Sequence, residues 1–115
     1  AAMPPEIREV GPAYRAANPE GTRRWIELEK MGRQPNATAQ PFRNQMTFGM
    51  LESIKLPTLL VAGDADMFAP PPLLKMFTAR IKGAQTLVIP EAGHSSYWEK
   101  PEVFNKAVLD FIRKH

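Results

Sequence analysis

A continuous apolar run, Thr58-Leu59-Leu60-Val61-Ala62, lies between Pro57 and Gly63. A strand with one wet face alternates apolar and polar residues, because successive side chains point to opposite faces. A run without alternation fits a strand covered on both faces, and such strands occur in parallel sheets. A parallel neighbour is out of reach of a tight turn and needs a crossover, usually a helix. Here Pro70-Pro71-Pro72 pre-sets a helix start, and Leu73, Leu74, Phe77 and Ile81 form its apolar face before Gly83 ends it. Thr86-Leu87-Val88-Ile89 predicts a second strand. Pro101 then opens a helix with Val103, Phe104, Ala107, Val108, Phe111 and Ile112 at 3.6-residue spacing, a stripe predicted to be buried. The order strand–helix–strand–helix predicts an α/β fold with a right-handed parallel crossover.

Two strands do not complete a sheet of this kind, which needs helices on both faces and a neighbour at each edge. The chain has 115 residues, 43% of them hydrophobic, so it is apolar enough to build a core. It reads as one piece of a larger α/β domain. Residues 1–46 carry no strand pattern. Ile7, Val10, Tyr14 and Ala17 recur at helical spacing, with Gly11-Pro12 predicted to break or kink the helix. Asn18 before Pro19 predicts an N-cap and an N1 proline, opening a helix through Trp25, Ile26 and Leu28 to about Met31, stopped by Gly32. Residues 34–40 are loop-like, and Thr47 is placed to cap a short helix containing Met50, Leu51 and Ile54.

Several function classes fit poorly. The net charge is +3, but Arg23-Arg24 and Arg113-Lys114 are the only adjacent basic pairs, so no clustered footprint for nucleic acid is expected. No apolar stretch approaches the length that crosses a bilayer, and Ala1-Ala2-Met3-Pro4-Pro5-Glu6 does not read as a signal peptide. There is no cysteine, hence no disulfide or thiol chemistry within the chain, and a cytoplasmic setting is the expectation. No His or Cys grouping has metal-ligand spacing, so no metal is predicted.

The first strand leads into Gly63-Asp64-Ala65-Asp66, and the second into Pro90-Glu91-Ala92-Gly93-His94. A crossover helix of about 12 residues runs back roughly 18 Å. A strand of about 5 residues runs forward roughly 17 Å. The two nearly cancel, so an acid at 64 or 66 and His94 return to the same carboxyl edge, where α/β proteins place their sites. An aspartate there could hold the histidine in one tautomer for base catalysis. Asp64 could instead shape the turn after Gly63. Ser95 and Ser96 adjoin His94, but a sequence neighbour seldom reaches the geometry a base requires. Tyr97, Trp98 and Phe104 read as packing, and Glu99 as a stabiliser of the last helix start.

These segments resemble the α/β-hydrolase superfamily. Residues 57–70 follow its pattern P-T-L-L-V-x-G-x-x-D-x-x-x-P, and Gly93-His94, Glu99, Pro101 and Phe104-Asn105 follow its histidine segment. The resemblance implies the C-terminal part of a hydrolase core over 47–115, with residues 1–46 as a helical cap or lid. It implies Asp66 as catalytic acid and His94 as base. Met67 and Phe68 directly follow the acid and could line a substrate pocket, core packing being the other reading, and no cofactor is expected. Trp25, Met31, Met46, Phe48 and Met50 are candidates for the lid, with a place in the structural core the default reading for any one of them. The superfamily's nucleophile elbow, G-x-S-x-G or an aspartate version, is missing: Ser53, Ser95 and Ser96 are the only serines and none stands in that motif. The expectation is therefore a hydrolase of small esters or related acyl or carbon–carbon bonds, completed by an N-terminal fragment that carries the nucleophile. The alternatives are an epoxide hydrolase or dehalogenase with an aspartate nucleophile, and a non-enzymatic binding protein of the same fold.

Overall fold

Proline is the first residue of five helices: α1 (Pro5–Glu9), α2 (Pro12–Ala17), α3 (Pro19–Gly32), α5 (Pro71–Thr78) and α7 (Pro101–Lys114). The missing N–H costs nothing there and the fixed φ suits the first turn. The computed structural model describes residues 3–38 and 40–115. Gly11-Pro12 separates α1 from α2 as expected. At α3 the Asn18 side chain accepts a hydrogen bond from the Gly21 amide at 2.8 Å, one of the donors a helix start leaves free. Short α4 (Phe48–Glu52) follows Thr47, whose hydroxyl makes no capping bond.

Strands β1 (Leu59–Gly63) and β2 (Gln85–Ile89) pair in parallel, in register from Leu59 opposite Gln85 to Gly63 opposite Ile89. Both strands end at the same level, which delivers the two following loops to one edge. The crossover helix α5 packs on both strands and α7 on β2. Helix α5 is shorter than the apolar pattern predicts. It ends at Thr78, and Ile81 is buried in the turns that follow rather than on the helix. Gly83, at φ +77°, carries that turn into β2, a conformation glycine adopts without strain. The four-residue α6 (Ser96–Glu99), just after His94, has no counterpart in the sequence reading.

The buried apolar residues are Ala62, Leu74, Ile81, Ile89 and Ala92 around the strands, with Val10 and Trp25 brought in by the first helices. The strands are less covered than a continuous apolar run predicts: Leu59, Leu60 and Val61 are half-buried and Val88 is exposed. The stripe of α7 is also only partly covered. Phe104, Ala107, Val108 and Phe111 are half-buried, whereas Val103 and Ile112 are exposed. The accessible surface is 8609 Å², against roughly 6,300 Å² for a compact monomer of this mass. The radius of gyration is 16.0 Å, against about 13 Å for a closed domain of this length.

Gly63 is where the two loops meet most closely. A Cβ there would stand 1.9 Å from the Ala92 carbonyl oxygen, so any side chain forces the loops apart. Gly63→Ala is expected to destabilise the folded protein by about 1–3 kcal/mol, as overpacking does. Urea unfolding of the folded domain checks this, and an unchanged midpoint would contradict it.

Candidate active site

The loops leaving β1 and β2 are tied by their backbones. The Asp64 amide donates to the Ile89 carbonyl at 3.1 Å and the Ala65 amide to the Ala92 carbonyl at 2.9 Å. Asp64 is exposed, and its carboxyl oxygen accepts from the Glu91 amide at 2.7 Å. Its turn-shaping role thus reaches across to the second loop instead of staying within its own. Glu91 has φ +57°, a left-handed conformation unusual for a side-chain-bearing residue, and the Asp64 bond helps hold it.

Asp66, on the same loop, faces His94. His94 Nδ1 lies 2.9 Å from Asp66 Oδ2, with the Asp66 side chain 3% exposed and that of His94 46% exposed. The other carboxyl oxygen, Oδ1, accepts from the Phe68 amide at 2.7 Å and the Ala69 amide at 2.9 Å. Burial alone pushes the Asp66 carboxyl up. The Ala69 amide, the His94 imidazole and the Phe68 amide together outweigh it and hold the group below its ordinary value. An ionised carboxylate only accepts, so Nδ1 carries the proton of the shared bond, and in the neutral ring Nε2 then keeps its lone pair. An imidazole so arranged can take a proton from a hydroxyl or a water.

Both flanks of His94 are anchored to the first helices. The Gly93 amide donates to the buried Glu99 carboxyl at 3.0 Å, and the Gly11 amide reaches the same group at 3.0 Å. The Ser95 amide donates to the Glu9 carbonyl at 2.7 Å, and Ser95 Oγ accepts from Trp25 Nε1 at 3.1 Å. The Phe68 ring lies 4.9 Å from the imidazole, centroid to centroid, and the Arg8 guanidinium carbon is 5.7 Å from the Phe68 centroid.

Residues 10–101 match the family described as the alpha/beta hydrolase fold. This chain belongs to that family. It is 38% identical over 63 residues to 2-hydroxy-6-oxononadienedioate/2-hydroxy-6-oxononatrienedioate hydrolase 2 of Pseudomonas putida, covering 55% of this chain and 22% of that protein. It is 32% identical over 63 residues to a pimeloyl-[acyl-carrier protein] methyl ester esterase of Neisseria meningitidis, covering 55% and 24%. Among solved structures, a thermophilic esterase from Thermogutta terrifontis superposes with a TM-score of 0.74 at 22% identity, over 94% of this chain and 41% of that one. Carboxylesterase CesB of Bacillus subtilis gives 0.59 at 26% identity, over 76% and 30%. The chain thus spans about a quarter of these curated relatives and less than half of these structures.

Within this α/β-hydrolase framework, some residues keep their sequence reading and others depart from it. Trp25 is buried against Ser95, as the core reading of this residue expects. Met31, Met46, Phe48 and Met50 are exposed. Met67 and Phe68 are both exposed, and the Phe68 ring also lies against the imidazole. Ser95 and Ser96 are buried, and the Ser53 hydroxyl donates to the Met50 carbonyl at 2.7 Å. Tyr97 meets Phe104 edge-on at 6.1 Å, in keeping with packing. Glu99, read from the sequence as a stabiliser of the last helix start, also makes hydrogen bonds that the sequence did not show. Its partners are backbone amides, one of them 88 positions away, and amides carry no residue signature for a sequence to display. An apolar cleft of about 570 Å³ is walled by Met46, Thr47, Phe48, Leu51 and Phe77 and takes in neither Asp66 nor His94. Among the described residues, no helix is long and apolar enough to cross a membrane, and no group of three or more His, Cys, Asp or Glu could hold a metal ion.

The Asp66 arrangement gives a signed pH dependence. With its folded value held below the ordinary 3.8, Asp66 stabilises the fold fully above that value. The contribution falls away as pH drops from there through the depressed folded value. Asp66→Asn is expected to flatten the decline in stability over this acid window, measured by urea unfolding of the assembled domain at stepped pH. An equally steep decline in the variant would contradict it.

Proposed function

We propose that this chain supplies the acid, Asp66, and the general base, His94, of a Ser-His-Asp triad that hydrolyses a small ester or a related acyl or carbon–carbon bond. The observation that carries this reading is the 2.9 Å bond between a buried carboxylate and a half-open imidazole at the carboxyl edge of a parallel sheet. In this mechanism a serine hydroxyl attacks the scissile carbonyl carbon while His94 Nε2 takes its proton. The same proton passes to the leaving group as the tetrahedral intermediate collapses. Water then attacks the acyl-enzyme with His94 again as base, and the serine is regenerated. Asp66 keeps the imidazole in the productive tautomer and stabilises its charged form. Phe68 holds one side of the ring and, with Met67, lines the approach to it. The similarity to a 2-hydroxy-6-oxononadienedioate hydrolase and to a methyl ester esterase supports this reaction class.

The nucleophile belongs to a part of the fold outside these 115 residues. We place it on a polypeptide bearing the remaining strands, which adds its edge to β1 or β2 and covers the half-exposed strands. The large accessible surface and the partly open α7 stripe support such a partner. Residues 1–46 then act as the cap over the site and residues 47–115 as the end of the core. The absence of cysteine suits a reducing cytoplasm.

Two measurements test this. In the assembled enzyme, Asp66→Asn should lower turnover of a p-nitrophenyl ester by about 10⁴, as the corresponding change does in a serine protease, with folding retained. Near-full turnover in the variant removes Asp66 from the mechanism. Expressed alone, the chain is expected to be inert toward the ester and to lack a sharp thermal transition. A soluble monomer with cooperative unfolding would refute the half-domain reading.

A further inference from the structure

We propose that Glu99 is a positioning residue for the base, fixing where His94 stands by gripping the backbone on either side of the junction between the first helices and the histidine loop. The inference rests on the proposed role of His94. Glu99 is 6% exposed, and a carboxyl group is removed from water at a cost unless strong partners compensate. Among the described residues no cation pairs with it. Its partners are the Gly93 amide, 3.0 Å from both oxygens, and the Gly11 amide, 3.0 Å from Oε2. The hydrogen bonds of its side chain go to these two amides, and its charge also lies just before the start of α7.

The surroundings are shaped to this grip. A Cβ on Gly11 would stand 2.7 Å from Glu99 Oε2, and a Cβ on Gly93 would stand 2.6 Å from the Gly11 amide nitrogen. Both positions therefore need glycine for the carboxyl group to reach two amides at once. Gly93 immediately precedes His94. On its other side, Ser95 is held through its amide by Glu9 and through its hydroxyl by Trp25. The His94 backbone is thus fixed before and after the residue by partners from the first 32 positions and by Glu99. Asp66 sets the ring orientation, and Glu99 sets the position of the backbone from which the ring projects. A shift of about 1 Å at such a point can cost roughly 10²-fold in rate, because proton transfer demands near-contact geometry.

The isosteric change Glu99→Gln replaces one acceptor with an NH₂ group that faces the Gly93 amide, donor against donor. In the assembled enzyme, the expected result is a cooperative thermal transition and a fall in kcat of about 10²-fold with KM near wild type. The low-field NMR signal of the His94 Nδ1 proton should also be lost or exchange faster. Gly11→Ala disturbs the same grip with the carboxyl intact and should move that proton signal in the same direction. This second variant keeps the idea testable should Glu99→Gln fold poorly. The proton signal reads positioning without any turnover. A wild-type enzyme inert toward esters would sink the proposed reaction while leaving this test standing. A folded Glu99→Gln protein with an unchanged imidazole proton and unchanged kcat would overturn the positioning role. So would a loss of rate that only tracks the loss of folded protein.

Discussion

The close approach of Gly63 to Ala92 governs the rest of this structure. With hydrogen at the Gly63 α-position, the loop after β1 can lie against the loop after β2, and the Ala65 amide can reach the Ala92 carbonyl. Parallel pairing in register makes the contact possible, because both strands end level. Once the loops are joined, Asp66 and His94 face each other with little freedom. The left-handed Glu91 is the local conformational cost of routing the second loop this way, and such strain persists where its surroundings over-determine it.

Around that contact the polar groups are arranged by burial. Asp66 is almost sealed and spends its two oxygens on different tasks, Oδ1 on the amides of its own loop and Oδ2 on the imidazole. The loop amides hold the carboxylate ionised and aimed, so the histidine meets a fixed acceptor. His94 is about half open, and a base that must meet a substrate group needs that opening. Glu99, equally buried, binds backbone instead of side chain and connects the histidine loop to the helices at the other end of the chain.

The exposed apolar surface has the opposite origin. The strands carry apolar residues suited to cover on both faces, and among the described residues the main cover against them comes from α5 and α7. The same shortfall leaves Val103 and Ile112 in water on a helix whose pattern anticipates burial. A hydrophobic stripe states which face of a helix seeks cover, and the amount of cover depends on what else is present.

The sequence by itself determined the elements and their order. Prolines and Asn18 marked the helix starts, the unbroken run at 58–62 indicated a parallel strand, and the glycines closed turns, because these signals act through local backbone sterics and capping. The likeness of residues 57–70 and of the histidine segment to a known family made the α/β-hydrolase fold legible, and strand–helix arithmetic brought Asp66 and His94 to one edge. Only the tertiary structure decided which contacts those residues make. It separated the duties of Asp64 and Asp66, stopped α5 at Thr78, buried Trp25 on Ser95 and turned Glu99 toward Gly11 and Gly93. The bonds of Asp64 and Glu99 go to backbone amides of distant segments, which all residues share and which therefore leave no mark on the sequence.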